Sequence, residues 1–129
     1  MEAKEVVASY FEALGKGELE KALSSFTPET RWCQPGDNKF AGLKNNLSEI
    51  IQMFQGIMSH TSGNMVVKPN GKMLESGNLI AVPVWFTAKT ETKDMDLGGL
   101  DLFEVKDGKI IQVWTFSDDQ SVDDDFFGK

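Results

Sequence analysis

Apolar residues recur at spacings of three and four through the first part of the chain and at spacings of two through the rest. Val6, Tyr10, Ala13 and Leu14 share one helical face, so Glu2 to Leu14 is predicted as a helix that Gly15-Lys16-Gly17 breaks. Leu19, Ala22, Leu23 and Phe26 give a second helical set, stopped by Pro28. A short extended segment follows at Thr30 to Gln34 and closes at the turn-forming Pro35-Gly36-Asp37-Asn38. Gly42 is expected to open a third helix over Leu43 to Met58, with Leu43, Leu47, Ile50, Ile51, Phe54, Ile57 and Met58 on its buried stripe and Ser62-Gly63-Asn64 at its end.

From Met65 onward the pattern is that of strands. Met65 to Leu74 is one, bent at Pro69-Asn70-Gly71; Leu79 to Thr90, Met95 to Val105 and Ile110 to Ser117 are three more. Lys106-Asp107-Gly108-Lys109 is the tight hairpin turn between the last two. Three helices followed by a strand meander predict an α+β fold, with the helices on one face of a curved antiparallel sheet. Both faces of Leu79 to Thr90 are apolar: Ile80, Val82, Val84 and Phe86 alternate with Leu79, Ala81, Pro83 and Trp85. One wet face would place polar residues in the second set. No segment remains to cover that face, so a homodimer through the sheet is expected.

Composition narrows the function classes. The length of 129 residues fits one domain, and 40% hydrophobic and 26% charged residues are ordinary for a globular chain. The polar N-terminus does not read as a signal peptide, and no apolar run approaches a membrane span, so the expected setting is cytoplasmic, with no membrane partner. A net charge of -7 speaks against nucleic acid, whose phosphates would be repelled. Asp118, Asp119, Asp123, Asp124 and Asp125 crowd the C-terminus and are expected to form a solvated, poorly ordered tail. Their spacing lacks the glycine and closing glutamate of a calcium loop. With one cysteine and one histidine, neither a disulfide nor a metal cluster is expected, and no cofactor is implied. Cys33 is expected on the face opposite Gln34, His60 at the end of the third helix, and Gly98-Gly99 as a bulge.

Tyr10 to Gly36 resembles the opening of ketosteroid isomerases and their relatives: a helix with Tyr10 and Ala13-Leu14, a break at Gly17-Glu18-Leu19, then Phe26 and a strand running into Pro35. Leu100 to Phe116 is similar to the last hairpin of that family. The chain therefore resembles the ketosteroid isomerase-like and SnoaL-like branch of the nuclear transport factor 2-like superfamily, which implies a cystatin-like cone around an apolar pocket. The resemblance implies that Tyr10 and Asp101 are the two donors that hold an enolate-like oxygen, as catalytic residues of an isomerase or lyase. Asp101 also shares a strand face with Phe103 and Val105, so it points inward among apolar neighbours. The general base of that family falls on Gln34, an amide that accepts no proton at neutral pH. Trp32, Trp85, Phe103, Trp114 and Phe116 are candidates to line the pocket beside Gln34, with Asp118 at its mouth. The expected ligand is a small apolar carbonyl compound. The alternatives are a binding module without chemistry and a dimerisation module.

Overall fold

The computed structural model describes residues 2–129. Its elements run α1 (Ala3–Gly15), α2 (Leu19–Leu23), β1 (Phe26–Gln34), β2 (Gly42–Lys44), α3 (Leu47–His60), β3 (Val66–Pro69), β4 (Leu74–Ser76), β5 (Leu79–Lys89), β6 (Asp94–Lys106), β7 (Lys109–Ser117) and α4 (Gln120–Phe127). The strands form one curved, open sheet in the order β2-β1-β7-β6-β5-β3, with β4 also on β5. The fold is α+β, with α1 and α3 packed on the inner face of the sheet.

Local chemistry sets the boundaries. Glu2 and Glu5 form a capping box at the start of α1. Asn46 caps α3, its Oδ1 accepting from the Glu49 N–H at 3.0 Å, which is why the helix begins at Leu47. The apolar pattern from Leu43 places the start four residues too early. Gly42, Leu43 and Lys44 instead form an edge strand on Gln34, Cys33 and Trp32. Phe26 likewise belongs to a strand, not to the second helix. The ladder between β1 and β7 shifts register between Phe26 and Arg31, and Pro28, which has no N–H to pair, sits in that irregular part. Thr30 Oγ1 bridges the irregularity by donating to the Ile110 carbonyl at 2.7 Å.

The sheet is mixed rather than antiparallel. β1 runs parallel to β7, and the long connection such a pair needs is supplied by β2, α3 and the β3–β6 meander, which separate the two in sequence. Gly98-Gly99 is no bulge: β6 pairs with β5 without interruption from Leu79↔Glu104 to Lys89↔Asp94. These glycines are small because both faces are crowded there. A Cβ on Gly99 would come within 2.6 Å of the Phe86 ring, and one on Gly98 within 3.1 Å of Trp85 and of the Asp118 carboxylate. The register shift in this part of the sheet lies instead between Glu104 and Val105, opposite Ile110 to Gln112.

The acidic tail is ordered. Asp119 caps α4 by accepting from the Val122 N–H, and the helix buries Phe126, Phe127 and most of Asp123. Asp124 accepts from the Asp37 N–H at 2.9 Å, Asn38 Nδ2 at 2.8 Å and Gln120 Nε2 at 3.0 Å. These bonds, from Asn38 and Asp37 first, hold its carboxyl below the usual aspartate range. His60, the last residue of α3, donates from Nε2 to the Phe126 carbonyl at 3.1 Å, and its ring packs among Phe40, Phe126 and Phe127. Thus α4 ties the 35–40 loop to the end of α3. Among the described residues, no helix is long and apolar enough to cross a membrane.

Candidate functional site

A cavity of about 350 Å³ lies between the inner sheet face and the helices α1 and α3. Tyr10 enters it from α1, Trp32 and Gln34 from β1, Phe54 and Ile57 from α3, Phe86 from β5, Asp101 from β6 and Thr115 from β7. Leu19, Met58 and Val66 also line it while remaining 37%, 45% and 49% exposed, so the cavity opens to solvent through an apolar rim. Met53, Met58 and Met65 give part of the wall an unbranched, adaptable surface. A broader depression of about 530 Å³ beside the start of α3, at Pro28, Leu47 and Gln52, carries neither an ionisable nor an aromatic side chain. Chemistry therefore concentrates in the smaller, better enclosed cavity.

Its polar groups form a row across adjacent strands. Asp101 on β6 pairs with Thr115 on β7. Gln34 on β1 follows Cys33, which pairs with Trp114, and so stands beside Thr115. Asp101 is 4% exposed, and its Oδ1 is buried without a hydrogen-bond partner among the described residues. Loss of water around the carboxylate raises its pKa to about 7, so at neutral pH both forms are populated. The Tyr10 ring is held by Phe11, Phe26 and Phe103 at centroid distances of 5.2, 5.4 and 5.6 Å. Burial first, and then the charge of Asp101, push its hydroxyl pKa upward, so it stays a proton-bearing donor. Gln34 Oε1 accepts from Trp32 Nε1 at 2.9 Å and from the Thr115 hydroxyl at 3.4 Å. Among the described residues, Tyr10 and Asp101 are the only ionisable side chains on the cavity wall.

The structure brings Tyr10, Asp101, Gln34 and Trp32 together and keeps the other sequence candidates out. Phe103 is fully buried behind Tyr10 and supports its ring rather than reaching the cavity. Trp114 and Phe116 alternate with the inward Val113 and Thr115 and so lie on the outer sheet face. Trp85 lies there too, donating from Nε1 to Asp96 at 2.5 Å. Asp118 sits beside it over Gly98, away from the mouth. Cys33 is also on the outer side, where its Sγ accepts from Gln112 at 3.7 Å. Thr115, Phe86, Phe54 and Ile57 line the cavity without having stood out in the chain as site residues. The α3 pair looks like plain core in the apolar pattern, and Thr115 becomes visible only once the parity of β7 is known.

Comparison with known proteins agrees with this architecture. The SnoaL-like domain family matches residues 7–113. A protein of unknown function with a cystatin-like fold from Xanthomonas campestris superposes with a TM-score of 0.95 at 27% identity, over 100% of both chains. TerC, co-crystallised with polyporic acid, superposes at 0.79 with 18% identity, over 90% of this chain and 91% of its own. IdmH, a polyketide cyclase candidate from Streptomyces antibioticus, superposes at 0.74 with 17% identity, over 92% and 93%. The last two likenesses are of fold alone. No curated protein matches the sequence significantly. The chain, with its helices on a curved open sheet around an apolar cavity, belongs to the SnoaL-like domain family.

Proposed function

We propose that the cavity binds a small apolar carbonyl compound and that Tyr10 and Asp101 hold its oxygen, in the manner of an isomerase, cyclase or dehydratase working through an enolate. The observation that carries this reading is the buried Asp101 carboxyl, unpartnered at Oδ1 in an apolar cavity that also receives Tyr10. A buried carboxyl without a partner is costly to the fold, and a ligand oxygen supplies the missing partner. When protonated, Asp101 donates to an oxygen that gains negative charge, alongside the Tyr10 hydroxyl. When ionised, it accepts a proton. A group titrating near 7 can take either role at neutral pH, one at a time: when ionised Asp101 takes the substrate proton, Tyr10 alone donates to the oxygen, and the newly protonated carboxyl then joins it. Asp118 is outside the cavity and Gln34 takes no proton, which leaves Asp101 as the internal acid or base. The cyclase candidate IdmH and the polyporic acid held by TerC support an oxygen-bearing ligand in this fold.

The amide at Gln34 favours a second reading, in which the same ligand is bound without turnover. Both are tested by titrating 2-naphthol, whose neutral and naphtholate forms differ in emission, into native protein and Asp101→Ala. Naphthol is expected to bind the native cavity with a raised naphtholate fraction, and the variant to bind about tenfold more weakly, one charge-assisted hydrogen bond being lost. Equal affinities would remove Asp101 from the site. Product formation from an enone panel then separates enzyme from binder.

We also propose that the outer sheet face pairs two copies of the chain. Leu100, Leu102, Trp114 and Phe116 lie together on β6 and β7, and Phe116 is 49% exposed. Light scattering at micromolar concentration is expected to give twice the 14.3 kDa chain mass, and Trp114→Lys to give the chain mass. A native monomer sinks the pairing.

A further inference from the structure

The Gln34 amide stands where the resembled isomerases carry their base, and its orientation is fixed by chemistry. Trp32 Nε1–H can only donate, so the Gln34 atom 2.9 Å from it must be the carbonyl oxygen. The Thr115 hydroxyl donates to the same oxygen. A flipped amide would set two donors against each other. Oε1 is thereby occupied twice, and the NH₂ group, without a hydrogen-bond partner among the described residues, is left to face the cavity that Gln34 lines. Trp32 is itself held in place, 5% exposed and edge-on to Phe54 at 5.2 Å.

The spacing of the donors then matters. Asp101, Thr115 and Gln34 occupy three neighbouring strands in register. Strands lie about 4.8 Å apart, so the backbones of Asp101 and Gln34 are separated by roughly 10 Å across the cavity floor. One station donates from Asp101 and Tyr10, the other from Gln34 Nε2, with Thr115 between them. A ligand with one oxygen satisfies one station and leaves the other donor without a partner once water is displaced, a cost comparable to a lost hydrogen bond.

We propose that Gln34 is a specificity-determining residue, positioned by Trp32 and Thr115, and that the cavity selects compounds with two acceptor oxygens on opposite sides of a small ring system, as in a cyclic diketone. This deepens the carbonyl-binding reading above and rests on it. The substitution at the base position thus changes what the site recognises: a proton acceptor is replaced by an oriented donor.

The test compares 1-tetralone, with one carbonyl, and 1,4-naphthoquinone, with two on the same carbon skeleton, by calorimetric titration. A Cys33→Ser background prevents thiol addition to the quinone. The readout is the ratio of the two affinities, measured with Gln34 intact and in Gln34→Leu and Trp32→Phe, because a ratio of ratios cancels the difference in hydrophobicity between the probes. The preference for the two-oxygen probe is expected to fall about tenfold in Gln34→Leu, because the quinone loses a hydrogen bond while tetralone no longer strands the amide donor, and to fall part of the way in Trp32→Phe, where the amide loses the donor that orients it. A ratio unchanged by Gln34→Leu overturns the proposal, while an Asp101→Ala effect on naphthol would leave the carbonyl-binding reading intact. If neither probe binds the Gln34-containing protein, both readings fall together. A fall equal for both probes also overturns it, as the sign of a merely structural role.

Discussion

Asp101→Asn is expected to be more stable than the native protein at pH 8, and to lose that advantage as the pH is lowered towards 4. The native carboxyl has a pKa raised by burial from 3.8 to about 7. A carboxyl whose folded pKa lies above its unfolded value stabilises the fold fully only below the unfolded pKa. That contribution is lost as pH rises from about 4 through 7, because the unfolded chain ionises first and the fold must then hold a buried charge. A tenfold change in an ionisation constant corresponds to about 1.4 kcal/mol, so the whole window spans on the order of 4 kcal/mol. Asn has nearly the same shape and no charge at any pH, so its stability carries no such slope at this site. Urea denaturation at pH 4.5, 6 and 8 gives the difference between the two proteins, in which every other titrating group cancels to first order. A pH-independent difference would mean that water or a rearranged partner solvates the carboxylate, and that Asp101 is not tuned. The expected result has a functional corollary. A native protein that gives up this much stability at neutral pH for an unpartnered carboxyl gains it back when a ligand oxygen occupies the site.

That inward carboxyl is legible in the chain itself. Asp101 shares parity with Phe103 and Val105, so period two alone turns it inward. The same parity puts Ile80, Val82 and Val84 in the core, where they are 0%, 0% and 1% exposed. On β7 parity misleads. The register shift opposite Glu104 and Val105 adds a residue there, so Ile110 and Val113, three apart, both face the core. Counting by twos from Ile110 puts Trp114 and Phe116 inward, when Val113 and Thr115 are the residues that point there. A bulge changes which face every later residue takes, and nothing in Ile110-Ile111-Gln112-Val113 announces it. The parallel pairing of β1 with β7 is equally hidden, because a contact between residues some eighty positions apart leaves no local pattern. Trp32 and Gln34 still fall correctly into the cavity, since their placement depends only on the parity of β1 next to the turn.

Phe127→Ala is expected to cost about 3–5 kcal/mol, although the residue lies in a segment whose five aspartates read as a solvated tail. Charge density hides an amphipathic element. Asp119 caps, Asp124 takes three hydrogen bonds from the 37–38 turn and Gln120, and the opposite side carries Phe126 and Phe127. Phe127 is 2% exposed and meets Phe40 at 5.4 Å, Phe126 at 5.1 Å and the His60 ring at 5.8 Å. Truncation removes a central member of a cluster that joins α4 to α3 and to the 35–40 loop, and that loop follows directly on the strand bearing Gln34. Val122→Ala on the same helix is the control: Val122 is 40% exposed and its truncation is expected to stay within about 0.5 kcal/mol. Urea denaturation of the two variants decides. A Phe127→Ala cost below about 1 kcal/mol would show that α4 contributes little to the cooperative unit. With the full cost, α4 is a part of the cone's wall, and its loss should also loosen the Gln34 end of the cavity before it disturbs Asp101 in the middle of the sheet.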